Sequence, residues 1–298
     1  MFKIATLADW FGVGIVKGIQ ESQRCGAQGV QLYAWNDLNP FTARDEIIHT
    51  VRKTAEDCGQ TITALCGELS EVMPGGHGLE VSAENPPKIE YLKRVLDLSK
   101  SLGCDIVTTH IGIIPEDDSS PRYLALQESC RELGEYAQGL NAKIAIETGP
   151  EPISRLCRFV DNCHSAIAIN YDPANLVMVT AEDEVQGVYT AGSRIVHTHA
   201  KDGILHRYIG PDIIYNIFAE GGIEALAALP EYFTETPLGQ GTVRWIPYLA
   251  ALTNTGYSGY LTIEREVGKN AAADIRLAVD FLKEILPKIS KESEEKQS

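Results

Sequence analysis

Residues 166–172 read AIAINYD, with Ile167 and Ile169 set against Ala166, Ala168, Asn170 and Asp172. Side chains alternate between the two faces of a strand. One face of this segment is therefore branched and aliphatic, while the other is small or polar and ends on a carboxylate. The stretch before it, KIAIE at 143–147, repeats the scheme: Ala145 shares a face with Glu147, and Ile144 and Ile146 point the other way. In 194–199 Ile195, His197 and His199 share a face; in 259–264 Thr262 and Glu264 stand against Leu261 and Ile263. Upstream, Ile106, Thr108 and His110 align within 105–110. Strands with aliphatic outer faces for helices and small or polar inner faces belong to a closed parallel barrel.

Counting outward from these segments gives eight strands, at 3–7, 29–33, 61–66, 105–110, 143–147, 166–172, 194–199 and 259–264. Amphipathic helical patterns follow them at 15–25, 42–58, 87–102, 121–140, 151–162, 182–191, 243–255 and 271–286. Eight strand–helix units predict an α/β fold, a single-domain (β/α)8 TIM barrel over residues 1–287, followed by a charged tail at 288–298. A doubly wound open sheet would call for a glycine-rich first turn, and GVGIV at Gly12 is a poor match to GxGxxG. Two connections are long: 67–85, which carries MPGGHG and reads as a lid, and 201–241, where short helices are expected at 213–218 and 223–229.

Composition narrows the class. The chain is 44% hydrophobic and 22% charged, as a globular protein should be, and its net charge of −15 opposes a broad nucleic-acid surface. No apolar run reaches the roughly 20 residues of a membrane span, and the N-terminus shows no charged leader with a long apolar stretch. Seven scattered cysteines without a CxxC pair point to free thiols in the cytoplasm. A homo-oligomer is compatible with this composition.

Barrel active sites lie at the carboxyl edge of the strands, and that is where His110, Glu147, Asp172, His199 and Glu264 fall. Each has an ordinary explanation alone: a solvated rim glutamate, an Asp-Pro turn start, a core histidine. Five on five successive strands converge on one pocket. Three carboxylates with one imidazole suit a single divalent ion such as Mn²⁺, Mg²⁺, Co²⁺ or Zn²⁺, held by Glu147, Asp172, His199 and Glu264. His197, one layer deeper, reads as structural. Arg265 has the wrong parity to enter the barrel with Glu264 and reads as a rim ion pair.

These residues sit in IETG around Glu147, YDPANL around Asp172, HTHAKD around His199 and GYSGYLTIERE around Glu264, with GQGTVRW at 239–245. In these motifs, and over essentially its whole length, the chain resembles the sugar phosphate isomerase/epimerase superfamily, the xylose-isomerase-like TIM barrels. The resemblance implies that Glu147 and Glu264 form an acid/base pair while Asp172 and His199 only ligate, and that the substrate is a ketose or related polyol. A bound ion would polarise the substrate carbonyl and stabilise a developing enediolate. His110 and Lys201 are candidates for holding substrate hydroxyls, and Trp10 and Trp35 for an apolar wall beside the sugar. Many relatives carry a glutamate at the end of the second strand, where GVQLYAW places Gln31. A phosphate site is suggested by the glycines 239 and 241 ahead of a helix, with Thr242 as a cap, although no cluster of Lys or Arg accompanies them.

Four functions share this pattern. The first is a metal-dependent isomerase or epimerase; the second is a lyase or dehydratase of a keto-cyclitol or keto-sugar, which begins from the same proton abstraction. A DNA-repair endonuclease on this barrel needs more metal ligands and a basic face than seven histidines and a charge of −15 provide. The fourth is a barrel that binds a sugar without turning it over.

Overall fold

A computed structural model describes residues 2–69 and 78–295. Eight parallel strands close into a barrel: β1 (Lys3–Leu7), β2 (Gly29–Tyr33), β3 (Thr61–Cys66), β4 (Ile106–Thr109), β5 (Lys143–Glu147), β6 (Ile167–Tyr171), β7 (Ile195–Ala200) and β10 (Tyr260–Ile263), with β10 pairing both β7 and β1. The closed ring excludes the open doubly wound sheet. Around it run α1 (Ile15–Cys25), α2 (Asp45–Asp57), α3 (Asn85–Ser101), α4 (Pro121–Gly139), α5 (Ile153–Cys163), the single turn α6 (Pro173–Asn175) and α7 (Glu184–Ala191). The sequence marks many of the boundaries. Pro121 opens α4 behind Ser120, whose hydroxyl accepts from Tyr123 N at 3.2 Å, and Asp183 caps α7 through Val185 N and Gln186 N.

The aliphatic outer faces pack as the alternation requires: Ile144, Ile146, Ile167, Ile169, Leu261 and Ile263 are all buried in one continuous core with the helices. Inner faces carry the polar residues, and these find each other across the barrel. Two register irregularities occur in the ring, between Val30 and Gln31 where β2 meets β3 and between Ile169 and Asn170 where β6 meets β7.

Beyond β7 the structure departs from expectation. Residues after Lys201 form an antiparallel hairpin, β8 (Asp202–Leu205) with β9 (Phe233–Thr236), enclosing one continuous helix α8 (Pro211–Ala227) where the sequence suggested two short ones. The hairpin escapes a sequence reading because β8 and β9 lie 27 residues apart in the chain, with no turn signal of a tight hairpin between them. Helices α9 (Trp245–Asn254) and α10 (Ala271–Glu295) complete the ring, and α10 carries the chain through much of the charged stretch read as a tail. Of the expected lid, residues 70–77 lie outside the described residues; its far end is anchored where Leu79 N donates to Ile111 O at 2.7 Å.

The neck of the insertion is held by Asp202, which is buried and accepts from Gly239 N (2.9 Å), Val243 N (3.2 Å) and the Trp245 indole (2.9 Å). A Cβ on Gly241 would collide with this carboxylate, so the glycine is there to let the loop close on it. The backbone donors that suggested a phosphate site are thus satisfied by an internal anion, and the Thr242 hydroxyl donates to Gly203 O at 2.8 Å. Asp202→Ala leaves four donors unanswered, the adjacent Gly203 N included, and should cost about 2 kcal/mol or more in chemical denaturation. A loss under about 0.5 kcal/mol would contradict this role.

Candidate metal centre and active-site cavity

Glu147 ends β5, Asp172 follows β6, His199 lies near the end of β7 and Glu264 follows β10. Each offers one ligand atom, and the four atoms lie within 4.8 Å of one another, all buried. Ligands on opposite sides of an ion with bonds of about 2.1 Å sit about 4.2 Å apart, so the set needs only a small contraction to close on one. His199 Nδ1 stands 3.1 Å from Glu264 Oε2, 3.3 Å from Glu147 Oε1 and 3.9 Å from Asp172 Oδ2.

Asp172 answers both readings of an Asp-Pro step. Its Oδ1 caps the turn α6, accepting from Ala174 N at 2.7 Å and Asn175 N at 3.1 Å, while Oδ2 is buried with no hydrogen-bond partner. His199 Nδ1 is also buried without one. Two orphaned polar atoms facing each other would each cost about 1–3 kcal/mol in a dry site. A shared cation removes that cost, and the O/O/O/N donor set is one that a borderline or hard divalent ion accepts.

The groups around the four residues fix their orientation. His199 Nε2 lies 3.1 Å from Gln31 Oε1, and the Gln31 amide in turn donates to Thr108 Oγ1 at 2.9 Å. With Nε2–H given to Gln31, Nδ1 is the atom aimed at the cluster; burial lowers the imidazole, but Glu264 and Glu147 prevail and hold it well above its usual range, and a bound ion would take the place of the Nδ1 proton. Gln31, fully buried, thus orients the His199 ring across the barrel. On the other side His197 Nδ1 meets Asn170 Oδ1 at 2.8 Å and its Nε2 meets Thr262 Oγ1 at 3.1 Å. Burial and the neighbouring His199 push the His197 imidazole well below its usual range, so it is neutral, with its proton on Nδ1 and its lone pair accepting from Thr262. That fixes the Asn170 amide, whose Nδ2 donates to Glu147 Oε2 at 3.1 Å; Asn175 Nδ2 donates to Glu147 Oε1 at 3.1 Å. Outer partners of ligands commonly carry 10–100-fold of metal affinity. Gln31→Leu should weaken metal binding by about that factor, read by competition with a metallochromic chelator, and unchanged affinity would remove Gln31 from this role.

Lys201 is buried and its ammonium is surrounded by carboxylates: Glu264 at 3.1 Å, Glu235 at 3.9 Å, Asp172 at 4.0 Å, and Glu266 in direct contact. Burial opposes ionisation of Glu264, but His199 and Lys201 outweigh it and hold the carboxyl well below the usual range. Burial raises Asp172 to about 7 and Glu266 to about 8, with Lys201 opposing in both cases. Arg265 pairs with Glu235 (2.6 Å) and Asp274 (2.8 Å) outside the ligand set, as its parity requires.

His110 sits just beyond β4 with Nδ1 3.3 Å from Glu68 and Nε2 3.9 Å from Glu147. Burial lowers it, but Glu147 and Glu68 prevail and lift it to about 10. The loop that follows is clamped by two buried carboxylates: Ile113 N donates to Glu80 at 2.6 Å and Ile114 N to Glu151 at 3.2 Å. Burial raises Glu151 to about 8, with Ile114 N, Arg155 and His110 pulling the other way. Its folded form therefore binds a proton that the unfolded chain, near 4.5, releases earlier, and its contribution to stability falls as pH rises from about 4.5 to 8. Melting temperatures of Glu151→Gln and wild type should diverge over that window, with the variant losing less toward pH 8. Parallel profiles would show that Glu151 does not titrate there.

A cavity of about 350 Å³ opens from this cluster. His110, Glu147 and Lys201 line its polar end. Trp10 and Trp35 do not line it: Tyr33 stacks on Trp35 at 4.1 Å, Trp10 meets both rings edge-on, and the Trp35 indole is bound by Asp9 at 2.8 Å. Asn175, Glu235 and Glu266 had no signal in the sequence, Asn170 had only its inward parity, and Gln31 stood out only as the residue where many relatives carry a glutamate.

Residues 19–285 match the family model described as a xylose isomerase-like TIM barrel. No curated protein sequence matches the chain. Among solved structures, a xylose isomerase domain protein from Planctomyces limnophilus is similar at 24% identity and a TM-score of 0.77, covering 97% of this chain and 98% of that one. An L-ribulose 3-epimerase is similar at 14% identity and a TM-score of 0.75, over 100% and 99% of the two chains. A D-allulose 3-epimerase from Methylomonas sp., solved with D-allulose, is similar at 16% identity and a TM-score of 0.68, over 95% and 96%.

Proposed function

We propose, from the premise that this chain belongs to the xylose isomerase-like TIM-barrel family, that it is a divalent-metal-dependent isomerase or epimerase of a ketose or closely related sugar. The observation that carries this reading is the pair of orphaned atoms, Asp172 Oδ2 and His199 Nδ1, clustered with Glu147 and Glu264 beside a cavity that Glu147 and Lys201 line. The epimerases named among the similar structures support it.

Glu147, Asp172, His199 and Glu264 would hold the ion, which when bound supplies Lewis acidity toward a substrate carbonyl. The chain's own residues do the rest. Asn170 and Asn175 fix both oxygens of Glu147, and Lys201 fixes Glu264 as a carboxylate. One glutamate takes the proton alpha to the carbonyl; the other returns a proton to the opposite face of that carbon in epimerisation, or to the adjacent carbon in isomerisation. His110 Nε2 faces the same end of the cavity and donates to a substrate hydroxyl, and the ring of Tyr215 from α8 closes over it at 6.1 Å.

Incubation of candidate ketoses with the protein and Mn²⁺ or Co²⁺ in D₂O tests the reading. An epimerase or isomerase returns sugar carrying deuterium at the exchanged carbon. Release of a dehydrated ketone would replace the reading with a lyase, and no exchange with any ketose under any of the metals would overturn it.

A further inference from the structure

Much of the cavity lining is apolar. Beside His110, Glu147 and Lys201 it carries Met178, Val179, Ile214, Phe233 and Val267, interleaved with Thr234, Glu235 and Glu266. Met178, Val179 and Ile214 are buried, and the first two come from a π-helical turn, Leu176–Thr180, inserted directly after the metal-ligand turn α6. Such turns cluster at functional sites because the extra residue re-aims side chains that a regular helix would turn elsewhere. The aim here is enforced from the facing strand as well: any Cβ on Gly203 would collide with the Met178 sulfur, so β8 gives up a side chain to let Met178 lie where it does.

Charge excludes the commonest alternative content. Among the described lining residues Lys201 is the one lysine or arginine, and it already faces Glu264, Glu266, Glu235 and Asp172. A phosphate placed in this cavity would meet the carboxylates of Glu147, Glu235 and Glu266, while Lys201 and His110 already face carboxylates of their own. A sugar's own hydroxyls gain nothing from lying against those five apolar side chains and lose water there. What gains from that wall is apolar surface, at about 25 cal/mol per Å² removed from water.

We infer that the wall formed by Met178, Val179, Ile214, Phe233 and Val267 is a subsite for an apolar, ring-sized substituent, so that the substrate is a sugar bearing a hydrophobic group and not a free or phosphorylated one. The inference rests on the sugar reading for the polar end alone, and the following experiment separates the two.

Binding to the Mn²⁺-loaded full chain is measured by calorimetry for phenyl and methyl β-D-glucopyranoside, for D-fructose 6-phosphate, and for benzyl alcohol as the apolar group by itself. The expected result is saturable binding of benzyl alcohol, and phenyl glycoside binding at least about tenfold tighter than methyl. Phe233→Ser should shrink the phenyl-to-methyl ratio by about tenfold, and Val179→Trp, which fills the subsite, should abolish benzyl alcohol binding even if Phe233→Ser fails to fold. Absence of saturable benzyl alcohol binding to the wild type, or tighter binding of the phosphate than of the phenyl glycoside, overturns the subsite. Turnover of a free ketose with no aryl preference would overturn the subsite and leave the isomerase reading intact. Aryl preference without deuterium exchange into any ketose would do the reverse.

Discussion

Glu147→Gln and Glu264→Gln should each lose about 10²–10⁴-fold in kcat while remaining folded. Glutamine matches the shape of glutamate and keeps an oxygen acceptor, so in the first variant one of the donors Asn170 and Asn175 retains a partner, and in the second Lys201 still faces Glu235 and Glu266. The proton-accepting oxygen pair is what disappears. Both residues also sit in the ligand cluster, so kcat must be measured at saturating metal, with metal affinity determined separately and folding followed by circular dichroism. Wild-type turnover in both variants would end the acid/base assignment.

The second large effect concerns the ion. Protein purified without chelators should carry about one equivalent of a divalent metal by elemental analysis. Asp172→Asn isolates the ligand function of Asp172 from its structural one. Two backbone N–H groups fix the orientation of the new amide: its oxygen must take the place of Oδ1 to keep Ala174 N and Asn175 N satisfied. That leaves the NH₂ group, a donor with no lone pair for a cation, in the place of Oδ2. The turn α6 should survive, and metal content should fall to a small fraction of an equivalent. Stabilisation by added metal, worth about 2.7 kcal/mol in the wild type at a hundredfold excess over Kd, should vanish with it. Retention of one equivalent by Asp172→Asn would show that the ion sits elsewhere.

How much of this was legible follows from where each feature is encoded. The barrel is written locally, in the alternation of Ile144, Ile146, Ile167 and Ile169 against small or polar neighbours, so both the closed ring and the inward direction of His110, Glu147, Asp172, His199 and Glu264 could be read strand by strand. The roles of Gln31 and Asn170 could not. They depend on which atoms meet across the barrel, between β2 and β7 in one case and among β5, β6 and β7 in the other, and no local pattern carries a contact over 168 residues. The phosphate expectation failed for a related reason: glycines before a helix look the same whether the anion they approach is a ligand or Asp202. The tryptophans failed because an aromatic in a loop reads as a wall wherever it lies, and only the stack on Tyr33 shows that Trp35 is committed to its neighbours.

The grip of Asp202 on the neck of the insertion has an evolutionary corollary. Everything between that residue and Gly239 leaves and re-enters the barrel through one fastened point, while all four ligand residues lie outside the segment. Since the entropic cost of closing a loop grows only as the logarithm of its length, the segment can be lengthened, shortened or exchanged without rethreading a barrel strand. The segment is built as a cassette on a fixed barrel, and residues 203–238 are the natural unit to graft between barrels of this kind.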